Sequence, residues 1–272
     1  MRQLEDKVVL ITGAGAGIGR ELARQLAYKG SNLALVDLDS AGLAGTKDLL
    51  PARCRVSLLV ADVSSSPDME RVRDELLEVH DVLHVLVNNA GVTHFGTFEE
   101  HSLEVQQKLI NVNVWGVLHG CRIFLPDLKK QSEAHIVNMS SMAGYVGIPY
   151  QSLYSTTKFA VRGLSHCLRA ELAEHRIGVT SVHPGAVRTG IIGKSSADRD
   201  LSDRISKLVL NHGLKVDVAV RRIIRAVRRN QAEVRMAPES HISYAASRLT
   251  PGAVGMVAKG LARLGSRLRT PS

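Results

Sequence analysis

The 272-residue sequence predicts an α/β fold: a single-domain, doubly wound parallel sheet with helices on both faces. Three observations carry that expectation. Apolar runs near residues 8, 33, 56, 85, 135, 178 and 234 alternate with stretches of helical periodicity, the pattern of repeated βα units. The first run ends in a glycine-rich turn that opens at once into a helix, and the second ends in an acidic residue. With 44% hydrophobic residues, a chain of this length can bury one sizeable core.

Val8 to Ile11 read as a short buried strand, after which the chain turns through Gly13, Gly15, Gly17 and Gly19. Ile18, Leu22 and Leu26 then recur at helical spacing until Gly30 stops the helix. Glycines allow backbone to approach a phosphate, and the unpaired amides of a helix N-terminus point outward, so this turn has the makings of an anion cradle. The second strand, Leu33 to Val36, leads into Asp37, eighteen residues beyond Gly19 and close to the offset at which a carboxylate meets an adenosine ribose. The spacing is Gly13-x-x-x-Gly17-x-Gly19 rather than the commoner Gly-x-Gly-x-x-Gly, and alone it also suits an ordinary strand-to-helix turn.

Further along, thirteen residues separate Ser141 from Tyr154, and Tyr154 is followed by Lys158 in a helical stretch, YSTTKFAVRGL. One helical turn sets the phenol beside the ammonium. A nearby cation favours phenolate, and lowering a tyrosine by roughly three units from its usual pKa of about 10 takes about 4 kcal/mol of electrostatic help. Alone, such a pair is more often two residues on one solvated helix face.

Seven motifs occur in order: TGAGAGIG at 12–19, Asp62-Val63, NNAG at 88–91, Asn113 in NVNVWG, Ser141 in IVNMSSMAG, Tyr154-x-x-x-Lys158, and PGAVRT at 184–189. Together they resemble the short-chain dehydrogenase/reductase family, from about residue 5 to residue 190. The resemblance implies a Rossmann fold and an oxidoreductase that transfers a hydride between a nicotinamide and a secondary alcohol or ketone. It implies that Tyr154 exchanges a proton with the substrate oxygen and Ser141 hydrogen-bonds that oxygen. Lys158 would hold the nicotinamide ribose and lower the tyrosine pKa, and Asn113 would support a water in the proton relay. Ser140 is left as a structural hydroxyl. The cofactor set by the same resemblance is Gly13, Gly17, Ile18, Gly19, Asp37, Asp62, Val63, Asn89, Ala90, Gly91, Tyr154, Lys158, Pro184, Gly185, Val187 and Thr189. Asp62 and Val63 are assigned to adenine, Asn89 to the adenosine side and 184–189 to the nicotinamide amide. Local readings stand beside these: Asn88 and Asn89 satisfying backbone groups at a strand end, Asp62 capping a helix, Pro184-Gly185 making a plain turn. Asp37 followed by Leu38 can accept from free 2′- and 3′-hydroxyls but would repel a 2′-phosphate, so NAD is expected over NADP.

The resemblance also implies a substrate lid over about 190–213 and a homodimer or homotetramer built on the helices around 104–125 and 154–174. Ile191, Ile192, Leu201, Ile205 and Leu208, with Tyr145, Val146, Ile148 and Tyr150, suggest an apolar pocket for a lipophilic substrate. Trp115 is expected to pack near the helix of Asn113, and His94 to lie either near the substrate or on a surface loop. Cys54, Cys121 and Cys167 are odd in number and unpaired in pattern, as in reduced thiols. His80 and His84 fall at a helix-to-strand transition without further ligands, and no metal is expected. Neither a signal peptide nor a membrane-spanning apolar run is visible, which points to a cytoplasmic protein.

Net charge is +9, yet residues 204–272 carry 14 Lys/Arg against 3 Asp/Glu, so the remainder of the chain is slightly acidic. DVAVRRIIRAVRRN reads as a core-facing helix with a solvated basic side. The basic extension from about 241 could instead meet an anionic membrane or a protein, and a nicotinamide-binding regulatory or scaffold protein is the alternative function. Nucleic acid is not expected, since the segment lacks stacking aromatics.

Overall fold

In the computed structural model, which describes residues 1, 3–189, 207, 209–250, 252, 255 and 259, every one of the seven apolar runs is a β-strand. They are β1 (Val8–Thr12), β2 (Asn32–Asp37), β3 (Val56–Val60), β4 (Val85–Asn88), β5 (Ala134–Met139), β6 (Ile177–His183) and β7 (Glu233–Arg235). The described α-helices are α1 (Gly17–Tyr28), α2 (Ser40–Lys47), α3 (Ser66–His80), α4 (Leu103–Ile110), α5 (Gly116–Lys129), α6 (Ser152–Glu171), α7 (Val216–Arg228) and α8 (Pro238–Leu249). Of the expected lid, residues 190–206 and 208 lie outside the described residues, and so do Ile191, Ile192, Leu201, Ile205 and Leu208 and most of the extension beyond 250.

The strands form one sheet in the order β3-β2-β1-β4-β5-β6-β7, and every neighbouring pair is parallel. Strands buried on both faces need continuous apolar runs, and alternate residues divide between two cores. Val9, Ile11, Leu33, Leu35, Val85 and Val87 pack with Leu22 and Leu26 of α1 and Val220, Ile223 and Val227 of α7. Val8, Leu10, Ala34, Val36, Leu86 and Ile136 face the other way, against Met69 and Leu76 of α3, Phe124 of α5 and Val161 of α6.

Local signals set the helix boundaries. Ser65 caps α3 by accepting from the Asp68 N–H at 3.3 Å, and Asp81, at φ 62°, ends that helix in the left-handed region. Asp39 caps α2 through the Gly42 N–H at 2.9 Å. α4 runs into α5 through a π-helical turn at Asn111–Trp115, which helical periodicity alone does not announce.

Phe124 is fully buried between α5 and the sheet. Replacing it by Ala is expected to lower the unfolding free energy by about 3–5 kcal/mol, read from denaturant titration.

Candidate active site

The chain winds outward from β1 to β3 and then returns to the other side of β1 with β4, so a crevice opens where the carboxyl ends of those two strands diverge. Many of the expected site residues sit at or just past strand ends, while Gly17 to Gly19 open α1, Asn113 lies in the π-turn and Tyr154 and Lys158 lie in α6. Gly13 follows β1, Asp37 ends β2, Asp62 follows β3, Asn89 to Gly91 follow β4, Ser141 follows β5 and Pro184 follows β6.

The glycine loop is sewn to the exit of β4. At Gly13, with φ +65°, a Cβ would lie 2.9 Å from Ala90 Cα, and at Gly19 one would lie 2.8 Å from Asn89 Nδ2, so side chains are excluded at both. Thr12 Oγ1 accepts from the Asn89 and Ala90 N–H groups, each at 3.0 Å, while Asn89 Nδ2 donates to the Thr12 and Gly13 carbonyls at 2.9 and 3.1 Å. Arg20 clamps the loop from outside, donating to Gly15 O, to Gly42 O at 3.2 Å and to Thr46 Oγ1 at 3.1 Å. Thr12, Arg20 and Thr46 were not singled out by the sequence reading, although Thr12 and Arg20 flank the glycines directly. Ala16, which precedes α1, offers no side-chain cap, which leaves the first-turn N–H groups of the helix open to an anion. Partly buried Ile18 packs on the adjoining core.

Asp37 accepts from the Gly15 N–H at 2.8 Å and the Asp39 N–H at 3.1 Å, so its carboxylate sits at the rim of the cradle, and Leu38 beside it is 65% exposed. Asp62 accepts from the Ser64 N–H and Oγ–H at 2.8 and 2.7 Å. It therefore fixes the turn before α3, while the cap itself is Ser65. Val63 is buried, with its side chain against Gly116. On the opposite wall, Thr189 Cγ2 lies 3.4 Å from where a Cβ on Gly17 would be, and Val187 bridges to Leu214. The Pro184 carbonyl accepts from Met142 N–H at 2.9 Å, and Glu239 of α8, also absent from the sequence reading, accepts from the Ala186 N–H at 2.7 Å and crowds Gly185.

Ser141, Tyr154, Lys158 and Asn113, the residues expected to handle the proton, lie beside this cradle. Lys158 Nζ donates to the Met139 carbonyl at 2.9 Å, and it lies 3.5 Å from the position a Cβ on Gly91 would take. Asn113 is fully buried in the π-helical turn. Its amide accepts from Val92 N–H at 2.8 Å and donates to Val92 O and Thr157 Oγ1 at 2.9 and 3.1 Å, so this side chain fastens the loop after NNAG to α6. Tyr154 is hydrogen-bonded to Ser141, and the Ser141 hydroxyl also accepts from the Ala143 N–H at 3.1 Å. Ser140 is structural, as expected, donating to the Lys158 carbonyl at 2.8 Å.

Electrostatics correct one expectation. Burial raises the Tyr154 phenol above its ordinary pKa, with the Ser141 hydrogen bond offsetting part of the rise. Burial also lowers Lys158 to about 8. The helical turn does bring the two together, but Nζ lies 5.5 Å from the centre of the tyrosine ring and points its proton at Met139, so desolvation outweighs the cation.

Other expectations also shift. Tyr145 is not a pocket residue: it is buried, and its hydroxyl donates to Glu233 Oε2 at 3.1 Å. Trp115, at the end of the π-helical turn, is 50% exposed rather than packed. His94 stands edge-on to His101 at 5.1 Å, in the loop after NNAG. His80 meets Ser57 at 3.2 Å and His84 accepts from Val8 N–H at 3.1 Å, and no metal-binding cluster occurs among the described residues. Cys121 is buried, but Cys167 is exposed rather than packed. No helix among the described residues is long and apolar enough to cross a membrane.

A family model described as short chain dehydrogenase matches residues 7–200. SadH of Mycobacterium tuberculosis, named as an oxidoreductase, is 34% identical over 242 residues, covering 86% of this chain and 87% of its own. Among solved structures, a short chain dehydrogenase/reductase from Burkholderia phymatum in complex with NAD is similar at a TM-score of 0.86 and 30% identity, over 94% of this chain and 97% of that one. A 3-ketoacyl-(acyl-carrier-protein) reductase from Brucella melitensis, complexed with NADH, reaches a TM-score of 0.76 at 28% identity over 86% and 97%.

The depressed Lys158 pKa has a stability consequence. Below about pH 8 the folded and unfolded chains both hold the proton, and the burial cost is fully present. Between about 8 and the ordinary value of 10.5 the unfolded chain binds more protons, so stability rises with pH. Lys158→Met is expected to stabilise the cofactor-free protein by about 1–3 kcal/mol at neutral pH. In denaturant titrations that gain should shrink as pH rises through this window.

Proposed function

The chain belongs to the short-chain dehydrogenase family, and from that premise we propose that it transfers a hydride between NAD(H) and a lipophilic secondary alcohol or ketone, with Tyr154 as general acid and base. The observation that carries this reading is the meeting of Tyr154 with Ser141, next to Lys158, at the mouth of a glycine cradle whose Cβ positions are closed. The residues suit a dinucleotide. Gly13, Gly17, Ile18 and Gly19 form the pyrophosphate cradle at the uncapped start of α1, and Asp37 accepts from the adenosine ribose. Asp62, Val63, Asn89, Ala90 and Gly91 line the adenosine side, and Pro184, Gly185, Val187 and Thr189 the nicotinamide side. Bound nicotinamide supplies the hydride chemistry.

The protein's own task is one proton and its geometry. Ser141 Oγ orients the substrate oxygen, and Tyr154 donates a proton to it during ketone reduction. A phenol whose pKa burial has raised is fully protonated at neutral pH, which suits the reductive direction. Lys158 holds the nicotinamide ribose, and Asn113, fastened to Val92 and Thr157, supports the water of the proton relay.

A lipophilic substrate is supported by Val146, Ile148 and Tyr150, which keep partly exposed surface just beyond the catalytic serine. Leu103, Trp115 and Phe159, exposed at 69%, 50% and 43% on α4, the π-turn and α6, support a second copy of the chain on that face. One Rossmann domain with a lid over about 190–213 and a cytoplasmic location complete the reading.

Tyr154→Phe is expected to lower kcat by about 10²- to 10⁴-fold while leaving NADH affinity nearly unchanged. Absorbance assays over a panel of lipophilic and small charged alcohols and ketones, paired with NADH titration, check both halves; turnover surviving the change removes Tyr154 from its role. Wild-type protein should bind NADH at least about tenfold tighter than NADPH, a difference of about 1.4 kcal/mol. Asp37→Asn, which keeps an acceptor for Gly15, should narrow that gap, and equal wild-type affinities would refute the preference.

A further inference from the structure

The last residue of β6, His183, is completely buried directly behind Ser141, where the function proposed above assigns it nothing. Its Nδ1 lies 3.0 Å from the Ser141 carbonyl and its Nε2 lies 2.9 Å from Ser181 Oγ. The carbonyl can only accept, so Nδ1 carries the proton, and in a neutral ring Nε2 then accepts from the serine hydroxyl. Both ring nitrogens are satisfied only by that tautomer. Burial lowers the His183 pKa to about 4, consistent with a neutral ring.

The ring is locked in plane as well as at its edges. Tyr145 stacks on it with centroids 4.2 Å apart and planes inclined by 24°, and Arg162 covers the outer face of Tyr145 at 4.5 Å. Glu233 of β7 ties the stack together, accepting from Tyr145 OH at 3.1 Å and Arg162 Nε at 3.1 Å and meeting His166 Nε2 at 2.8 Å. Burial pushes the Glu233 carboxyl up, but its cationic and hydrogen-bonding neighbours, Arg162 and His166 among them, hold it below its usual value. From β7 the brace runs through Tyr145 and His183 to the backbone of the catalytic serine.

We propose that His183, as its neutral Nδ1-protonated tautomer, is a positioning residue that holds the Ser141 backbone so that the serine hydroxyl meets Tyr154 and the substrate oxygen. This rests on the reading of Ser141 as a catalytic residue. A donor at Nδ1 is what the role needs. Asparagine places an N–H near that position, whereas glutamine places its N–H nearer the site of Nε2. His183→Gln should therefore lower kcat roughly 10- to 100-fold, the scale of a misplacement of about 1 Å, with KM for NADH unchanged. His183→Asn should recover most of that loss at a similar melting temperature. Equal kcat in the two variants, or wild-type kcat in His183→Gln, would overturn the proposal.

Nitrogen NMR of the wild-type ring, between about pH 6 and 8, decides the case if neither variant folds. A neutral Nδ1–H ring supports the brace and an Nε2–H or charged ring sinks it. Because that spectrum needs no turnover, a wild type inactive on every substrate would remove the proposed function without deciding the tautomer.

Discussion

The seam between the glycine loop and the exit of β4 is the contact on which the rest of the molecule depends. Gly13 and Gly19 are closed to side chains by Ala90 and Asn89, and four hydrogen bonds cross the gap from Asn89 and Ala90 to Thr12 and Gly13. Parallel pairing of β1 with β4 brings the two turns together at the place where strand order reverses. From there the chain of contacts is continuous: Gly91 abuts Asn113 and Lys158, Lys158 reaches the end of β5, and Ser141 follows two residues later. An insertion at the seam would move the glycine loop and the cluster of Ser141, Tyr154 and Lys158 together.

Function is in tension with stability at the centre of this arrangement. A lysine buried at 4% exposure with a single carbonyl acceptor costs folding free energy, and the fold retains it. Tyr154 shows the complementary effect, since the surroundings that exclude water also keep its proton in place. In the proposed function that cation serves because it is poorly solvated: an ammonium already saturated by water and carboxylates would have no capacity left for ribose hydroxyls. The site thus departs from the rule that buried charge is paired, as functional sites do.

How much of this was legible in the sequence follows from which interactions are local. All seven strands show as apolar runs because a doubly covered parallel sheet requires them, and the glycine turn, Asp37 and the helical Tyr154–Lys158 spacing are short-range patterns. The π-turn at Asn113 was not legible, since a single extra residue in a helix leaves periodicity almost unchanged and is fixed by the bonds of Asn113 to Val92 and Thr157. Tyr145 was misassigned for a related reason. It stands four residues after Ser141, but its partner Glu233 lies 88 residues away, on a three-residue strand at the sheet edge. Electrostatics were legible in composition and not in sign, because spacing brings a cation near a phenol without saying whether it faces the oxygen or the ring.

The same distinction bears on the basic last quarter. Val220, Ile223, Ile224 and Val227 of α7 are buried against α1 and the sheet, which forces Arg221, Arg225, Arg228 and Arg229 outward whatever their purpose. Arg221 pairs with Asp217 one turn earlier at 2.7 Å, and Arg222 donates to the Met236 carbonyl at the end of β7. Arg235 lies over Tyr244 at 4.1 Å, joining α8 to the sheet edge. Amphipathic packing therefore accounts for the outward direction of the α7 cations, while most of the extension beyond 250 lies outside the described residues. A binding role alone gives the meeting of Ser141 and Tyr154 no purpose, whereas the proposed proton transfer to a substrate oxygen needs both hydroxyls at one point.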